Sequence, residues 1–326
     1  MLHEKRLNLA DQPTTPSPIS NAPMLRLCAV IVLYKLTASE SPSLKTLLTA
    51  ASRVPSSELQ LQVLIQDNTP GGQSVGLVPN GVRYETASEN PGLADAYNRA
   101  LRFAQADNCT WLLTLDQDTT LPPDYLVSML RHVRRFDSEA RICAIVPQMI
   151  DNRRNLSPFS FVAGSIPRWF ALGFVGIPTR ATYALNSAAV LRVASLAAIG
   201  GYDYRFPLDI SDINLFHRLH AEGKRVFVAG DILVSHSFSL LNKDKRMSMD
   251  RYPKMLRDEC AFWDLYMGPL ARVERFVRLV GRVGKDYLFT DDPAFRRATL
   301  LELKRRLMTR RTQRIAEWRK WAENRR

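Results

Sequence analysis

The chain has 326 residues, 46% hydrophobic and 24% charged, which is enough apolar side chain for a sizeable core and too much for wholesale disorder. Its longest greasy stretch, Trp169 to Pro178, falls well short of the roughly 18 residues a membrane-spanning helix needs, so no such helix is expected. The net charge of +13 points first to nucleic acid or an anionic surface, but residues 296–326 hold twelve Lys or Arg and three Glu, a net +9, leaving +4 for the rest.

Residues 1–24 carry acids and four prolines without a continuous apolar core, so they read as a disordered leader and not as a secretory signal; a cytoplasmic protein is expected. Leu25 to Leu33 is predicted as a buried first strand, and Ser41-Pro42 supplies the N-cap and first-turn proline of a helix. Leu59 to Ile65 is a second strand ending in Gln66-Asp67-Asn68. After a Gly/Pro-rich loop, Val82 to Thr86 is a short third strand, and Asn90-Pro91-Gly92 opens an amphipathic helix to about Ala106. Trp111 to Leu115 is a fourth strand with Asp116-Gln117-Asp118-Thr119 at its end, followed by a helix from Pro122 and a strand over Ala140 to Met149.

Asp151 to Pro178 is irregular and aromatic. It either walls a pocket or forms a hydrophobic hairpin that completes the core. Tyr183 to Leu191 is predicted as strand, Val193 to Ile199 as a short helix capped by Gly200-Gly201, Ser211 to Glu222 as helix, and Arg225 to Ala229 and Ile232 to Ser235 as two strands. From about Asp250 onward the chain is helical. Alternating strands and helices predict an α/β fold with a mostly parallel mixed sheet flanked by helices. The domains are then 25–245 for the α/β unit, 246–292 for a helical extension packing on it or on a membrane, and 293–326 for a basic amphipathic tail.

In open α/β sheets ligands bind at the carboxyl ends of the parallel strands, which singles out Asp67, Asp116 and Asp118. Two carboxylates one residue apart can hold an oxygen-loving cation, although a bare D-x-D also serves as a turn or helix start. His217 and His220 lack a third ligand at zinc-like spacing and are expected on a helix surface. Cys28, Cys109, Cys143 and Cys260 are scattered and read as reduced core residues. No phosphate-binding P-loop ending follows Gly71-Gly72.

Five segments in order give these residues a context: Val32-Leu33-Tyr34-Lys35, Asp67-Asn68, Asn90-Pro91-Gly92-Leu93-Ala94-Asp95-Ala96-Tyr97-Asn98, Leu115-Asp116-Gln117-Asp118-Thr119, and Gly200-Gly201-Tyr202-Asp203 with Phe206, Asp209, Asp212 and Val234-Ser235-His236. From about Arg26 to His236 the sequence resembles the family 2 nucleotide-sugar glycosyltransferases of the GT-A fold (a Rossmann-like sheet), and among them the rhamnosyltransferase-like branch. The resemblance implies donor binding by Tyr34, Asp67, Asn90, Gly92, Asn98 and Asp116, with Asp67 on the base edge. It implies a Mn2+ or Mg2+ ion held by Asp118, Asp116 and His236, a catalytic base at Asp212, and acceptor contacts by Asp209, Asn214 and Trp169. Two positions depart from the branch: Lys35 replaces the usual asparagine, and Asn214 a glutamate.

The implied reaction is inverting transfer of L-rhamnose from dTDP-L-rhamnose to a bacterial surface polysaccharide or lipid-linked glycan. A UDP-sugar donor is the alternative within the fold. A nucleic-acid or anionic-surface binder acting through the tail is the alternative outside it, although the body has no base-recognition module. Leu300, Leu303, Leu307, Ile315, Trp318 and Trp321 have roughly helical spacing, so the tail is expected to dock on an anionic membrane, on the inner face of the cytoplasmic membrane. Self-association is a further expectation left open.

Overall fold

A computed structural model describes residues 24–76, 78–151, 154–163, 165–236, 247–289 and 292–325. The leader lies outside the described residues apart from Met24, as does 237–246 at the domain boundary.

In chain order the elements are β1 (Leu25–Leu33), α1 (Pro42–Ala51), β2 (Leu59–Asp67), β3 (Val82–Thr86), α2 (Leu93–Ala106), β4 (Trp111–Asp116), β5 (Thr119–Thr120), α3 (Tyr125–Phe136) and β6 (Ile142–Asp151). Short strands follow: β7 (Arg154–Ser157), β8 (Phe159–Val162), β9 (Ile166–Trp169), β10 (Val175–Gly176), β11 (Thr182–Tyr183) and β12 (Ala189–Arg192). The chain then forms α4 (Val193–Ala198), α5 (Ser211–Ala221), β13 (Arg225–His236), α6 (Tyr252–Tyr266), α7 (Pro269–Phe289), α8 (Pro293–Met308) and α9 (Arg311–Glu323).

The main sheet runs β10-β13-β6-β12-β4-β1-β2-β3, with β5 on β13 and β7 on β6. Strands β4, β1, β2 and β3 are mutually parallel, β13 is parallel to β6, and β12 is antiparallel between β4 and β6. This is the mostly parallel mixed sheet of a GT-A-like fold. Strand β1 shows why it must be covered on both faces. Leu25, Leu27, Ala29, Ile31 and Leu33 pack with α1 and α3, whereas Cys28, Val30 and Val32 pack with α2, α4 and α5. All four cysteines are buried and free.

Three expectations are corrected. The run Tyr183 to Leu191 is not one strand: Ala188 adopts φ +62°, which breaks it into β11 and β12 in different sheets. The two strands expected over 225–235 are one strand, β13, with a register shift between Ala229 and Leu233. The aromatic stretch is not irregular throughout: β8 and β9 form a hydrophobic hairpin, one of its two readings, and β11 joins them in a separate antiparallel sheet in which Phe159 and Phe161 pack on Tyr183.

The tail also differs from a single amphipathic helix. It breaks at Thr309-Arg310 into α8 and α9, and α9 returns to the body. Trp318 is fully buried, with its ring centroid 4.8 Å from that of Phe206 and its Nε1–H donating to Asp258 Oδ1 at 2.9 Å. Arg325 pairs with the same carboxylate, while Arg306 and Arg314 converge on buried Asp264 at 2.8 and 3.0 Å. Part of the tail's charge is thus neutralised internally by acids of α6. Trp318→Ala deletes a buried indole and strands Asp258, so thermal denaturation is expected to show a loss of about 3–5 kcal/mol. A change under about 1 kcal/mol is what a loosely attached tail predicts instead.

Candidate active site

The register of the parallel strands builds the site. Leu33 lies opposite Asp67 and Val32 opposite Asp116, so the carboxyl ends of β2, β1 and β4 present Asp67, Tyr34 and Asp116 along one edge. Asp67 is buried and held by Tyr84, whose hydroxyl donates to Oδ2 at 2.8 Å, and by the Thr69 N–H on Oδ1 at 2.9 Å. Tyr34 is exposed, and its backbone N–H donates to Gln117 Oε1 at 2.7 Å, which ties the end of β1 to the Asp116-Gln117-Asp118 turn. Lys35 has φ +55°, a left-handed conformation that asparagine tolerates better than lysine. The departure at this position therefore concerns backbone preference; the Lys35 side chain turns back over the Tyr34 ring, with Nζ 5.2 Å from its centroid.

Asp116 Oδ1 accepts the Tyr97 hydroxyl at 3.1 Å, and its backbone N–H donates to Ser187 Oγ at 2.9 Å. Asp118 follows in the turn before β5. That strand pairs with the end of β13, setting His236 opposite Thr119 and Ser235 opposite Thr120. The backbone of His236 is thereby brought beside the D-x-D turn; its side chain lies outside the described residues.

The N-x-G-x-A-x-A-x-N segment works mainly through backbone geometry. Asn90 has φ +49° and is exposed. Gly92 has φ +93°, and a Cβ there would collide with the Pro207 carbonyl oxygen. Its own carbonyl accepts from Asn68 Nδ2 at 3.0 Å. Asn98 is buried: Nδ2 donates to the Tyr202 carbonyl at 2.9 Å, and Oδ1 accepts the Tyr202 N–H at 2.8 Å. It braces the Gly201-Tyr202 turn.

That brace carries the second half of the site. Tyr202 donates its hydroxyl to Asn186 Oδ1 at 2.9 Å, and Asn186 Nδ2 donates to Ser211 Oγ at 3.3 Å, at the start of α5. Ile210, with φ +68°, turns the chain into the helix. Asp212 then sits in the first turn, where its Oδ1 accepts the Ile213 N–H at 2.7 Å. Burial, with the charges of Asp116 and Asp209 adding to it, pushes the Asp212 carboxyl up to about 7 against the opposing Ile213 hydrogen bond. Burial, aided by Asp116 and Asp212, also raises the phenols of Tyr97 and Tyr202, whose ring centroids are 5.0 Å apart. The chain thus brings Asp116 and Asp212 to one pair of neutral tyrosines.

Asp209 is paired with Arg251, which donates to its two oxygens at 2.7 and 3.1 Å. Arg251, whose positive charge also interacts with Asp116, is a site residue that sequence reasoning missed: one arginine in a basic chain gives no signal. Asn214 is fully buried, and among the described residues neither its amide oxygen nor its nitrogen has a hydrogen-bond partner. Trp169 is exposed on β9, with Nε1–H donating to the Leu156 carbonyl at 3.0 Å, so its indole face is open. His217 and His220 are half-buried, not on the surface. His220 bridges Thr182 and Lys224, and His217 packs on Phe262 and Tyr266.

Among the described residues no three His, Cys, Asp or Glu side chains form a cluster able to hold a metal ion. The hard carboxylate oxygens of Asp116 and Asp118 suit Mn2+ or Mg2+, which commonly take their remaining ligands from water and phosphate oxygens. The donor chemistry fits such an ion.

Residues 64–199 match the family model of Glycosyl transferase family 2. The matched span holds Asp67, the Asn90–Asn98 segment and the D-x-D turn. No curated protein matches the sequence. Among solved structures, TarS of S. aureus matches over 82% of this chain and 44% of its own, at 16% identity and a TM-score of 0.50. GalNAc-T7, solved with UDP, GalNAc and Mn2+, matches over 82% of this chain and 52% of its own, at 13% identity and a TM-score of 0.54. The chain spans about half the length of these two proteins, and the likeness is one of fold.

Proposed function

We propose that this chain is an inverting, metal-dependent glycosyltransferase, acting from the cytoplasmic side, that moves L-rhamnose from dTDP-L-rhamnose to a bacterial surface polysaccharide or lipid-linked glycan. The observation that carries transfer chemistry is the nearness of Asp116, at the edge of the parallel strands within the family 2 span, to Asp212 at the start of α5, close enough for the charge of Asp116 to raise the Asp212 carboxyl. The rhamnosyl assignment rests on the resemblance of the D-x-D and Gly-Gly-Tyr-Asp segments.

In this reading Asp67 receives the base, Tyr34 flanks the nucleoside, and Asp116 and Asp118 hold the cation, with His236 contributing from β13. Such a cation, when bound there, would offset charge on the departing nucleoside diphosphate. Asp212 accepts the proton of the acceptor hydroxyl as that oxygen bonds to the anomeric carbon and the bond to diphosphate breaks on the opposite face. A carboxyl raised to about 7 is matched to that proton transfer near neutral pH. Arg251 fixes Asp209, and Asn214 and Trp169 stand on the acceptor side.

A UDP-sugar donor is the second reading, favoured by the fold likeness to GalNAc-T7 solved with UDP. Nucleic-acid binding by the tail is disfavoured because Arg306, Arg314 and Arg325 are engaged by Asp264 and Asp258. Thermal shift with dTDP-L-rhamnose and UDP-sugars, with and without Mn2+, tests the assignment. Stabilisation of about 2–3 kcal/mol is expected at saturating donor, only with metal, and for dTDP-L-rhamnose alone. A response confined to a UDP-sugar moves the donor, and no response to any donor removes the transferase reading.

A further inference from the structure

Helix α7 buries one face and leaves the other bare. On the inner face Ala271 and Leu279 are buried, Asp286 Oδ2 accepts the Thr299 hydroxyl at 2.7 Å, and Arg275 and Arg282 reach Glu259 of α6 at 2.7 and 3.2 Å. On the outer face Leu270, Val273, Val277, Val280, Tyr287 and Leu288 are between 45 and 77% exposed. Their spacing repeats every three or four residues, with Gly284 filling the one gap, so they form a single apolar stripe about 27 Å long. Isolated exposed hydrophobes are ordinary, whereas an aligned run along a whole helix marks an interaction surface.

The surrounding charge selects the occupant. Residues 269–326 hold seventeen Lys or Arg against seven Asp or Glu, a net +10. Of those acids Asp286 and Glu302 are buried, and Glu274 is paired with Arg278. Lys285, Arg297, Lys304 and Arg310 are exposed. A second copy seated on the stripe would bring two such cationic regions together. Glu274, Phe276, Gly281 and Val283 beside the seam also offer no set of opposite charges to pair two helices. An anionic bilayer complements both the stripe and the charge. No helix among the described residues is long and apolar enough to cross a membrane, so α7 would lie on the surface.

We infer that α7 is the membrane-docking element of this chain. It lies in the plane of an anionic bilayer, with Val273, Val277, Val280 and Tyr287 at the acyl boundary and the neighbouring cations on headgroup phosphates. This moves docking away from the tail, whose Trp318 is committed to the core. It stands independently of the sugar-transfer reading, because its measurement is binding.

The test is flotation of the full chain with vesicles of equal parts phosphatidylglycerol and phosphatidylcholine, or of phosphatidylcholine alone. Capture is expected on the anionic vesicles and to weaken as salt rises. Val277→Asp with Val280→Asp, both at exposed positions, is expected to lower capture at least about tenfold with circular dichroism and thermal midpoint retained. Should that pair unfold, Leu270→Gln with Val273→Gln makes the same comparison at the other end of the stripe. Failure of the native chain to float, equal capture by neutral vesicles, or undiminished capture of folded variants overturns the inference. A dimer in light scattering that the variants convert to monomer, without flotation, assigns the stripe to a second copy instead.

Discussion

Asp212→Asn is expected to lower turnover about 10²- to 10⁴-fold while leaving the protein folded. An amide keeps the shape of the side chain and can still accept the Ile213 N–H, but it cannot take a proton from an acceptor hydroxyl. The pH behaviour makes the assignment specific. Turnover per bound donor should rise with pH through about 7 and then level, because the base is ready only once ionised. The residual rate of the Asn variant should lack that step. Stability should move the other way. Between about pH 4 and 7 folded Asp212 keeps a proton that the unfolded chain has released, so its contribution to stability falls as pH rises through this window. Above pH 7 the native chain bears the full cost of a buried charge, and the variant should be as stable or more so, by about 1–2 kcal/mol. Near-normal turnover in the variant would show that another group takes the proton.

Asp118→Asn should abolish the metal-dependent part of donor binding and reduce turnover about 10²- to 10³-fold, the loss expected when a cation is no longer held against the leaving diphosphate. Titration of the nucleoside diphosphate with and without Mn2+ separates this from a folding defect. In the native chain the metal should tighten binding, whereas in the variant the two titrations should coincide. Asp118 lies in the turn between β4 and β5, away from the buried core, so the thermal midpoint should hold within a few degrees. Undiminished Mn2+-dependent turnover sinks its role as ligand.

The parallel core was legible because β1, β2 and β4 are largely apolar runs, two of which end in an acid, Asp67 and Asp116, and strand register carries those ends to one edge. Asp212 was legible beside them through its place at a helix start after Gly200-Gly201. What escaped notice depends on contacts remote in sequence or on single backbone angles. Nothing local marks Ala188 as a left-handed residue, and strands of two to four residues such as β10 and β11 are too short to show a period. The brace that Asn98 makes was not legible, because its partner is the backbone of Tyr202, supplied by the loop after α4. Trp318 has the spacing of a membrane-facing residue, and only Phe206 and Asp258 reveal that the face is filled. The stripe on α7 follows the same logic in reverse. Its residues read equally as a packed helix or as a membrane face until their exposure is known.

The contact between Trp318 and Phe206 has a consequence for the order in which the chain matures. Every strand of the sheet has been synthesised by His236, so the central layer can assemble while the last helices are still in the ribosome. The loop from Tyr202 to Asp212 is braced early at Tyr202 by Asn98 and Asn186, but the ring that packs on Phe206 is synthesised well after the last described strand. A nascent chain lacking α9 would have a finished sheet and an unclamped acceptor-side loop. The Phe206 side of the loop would then be fixed only once α9 has emerged and packed.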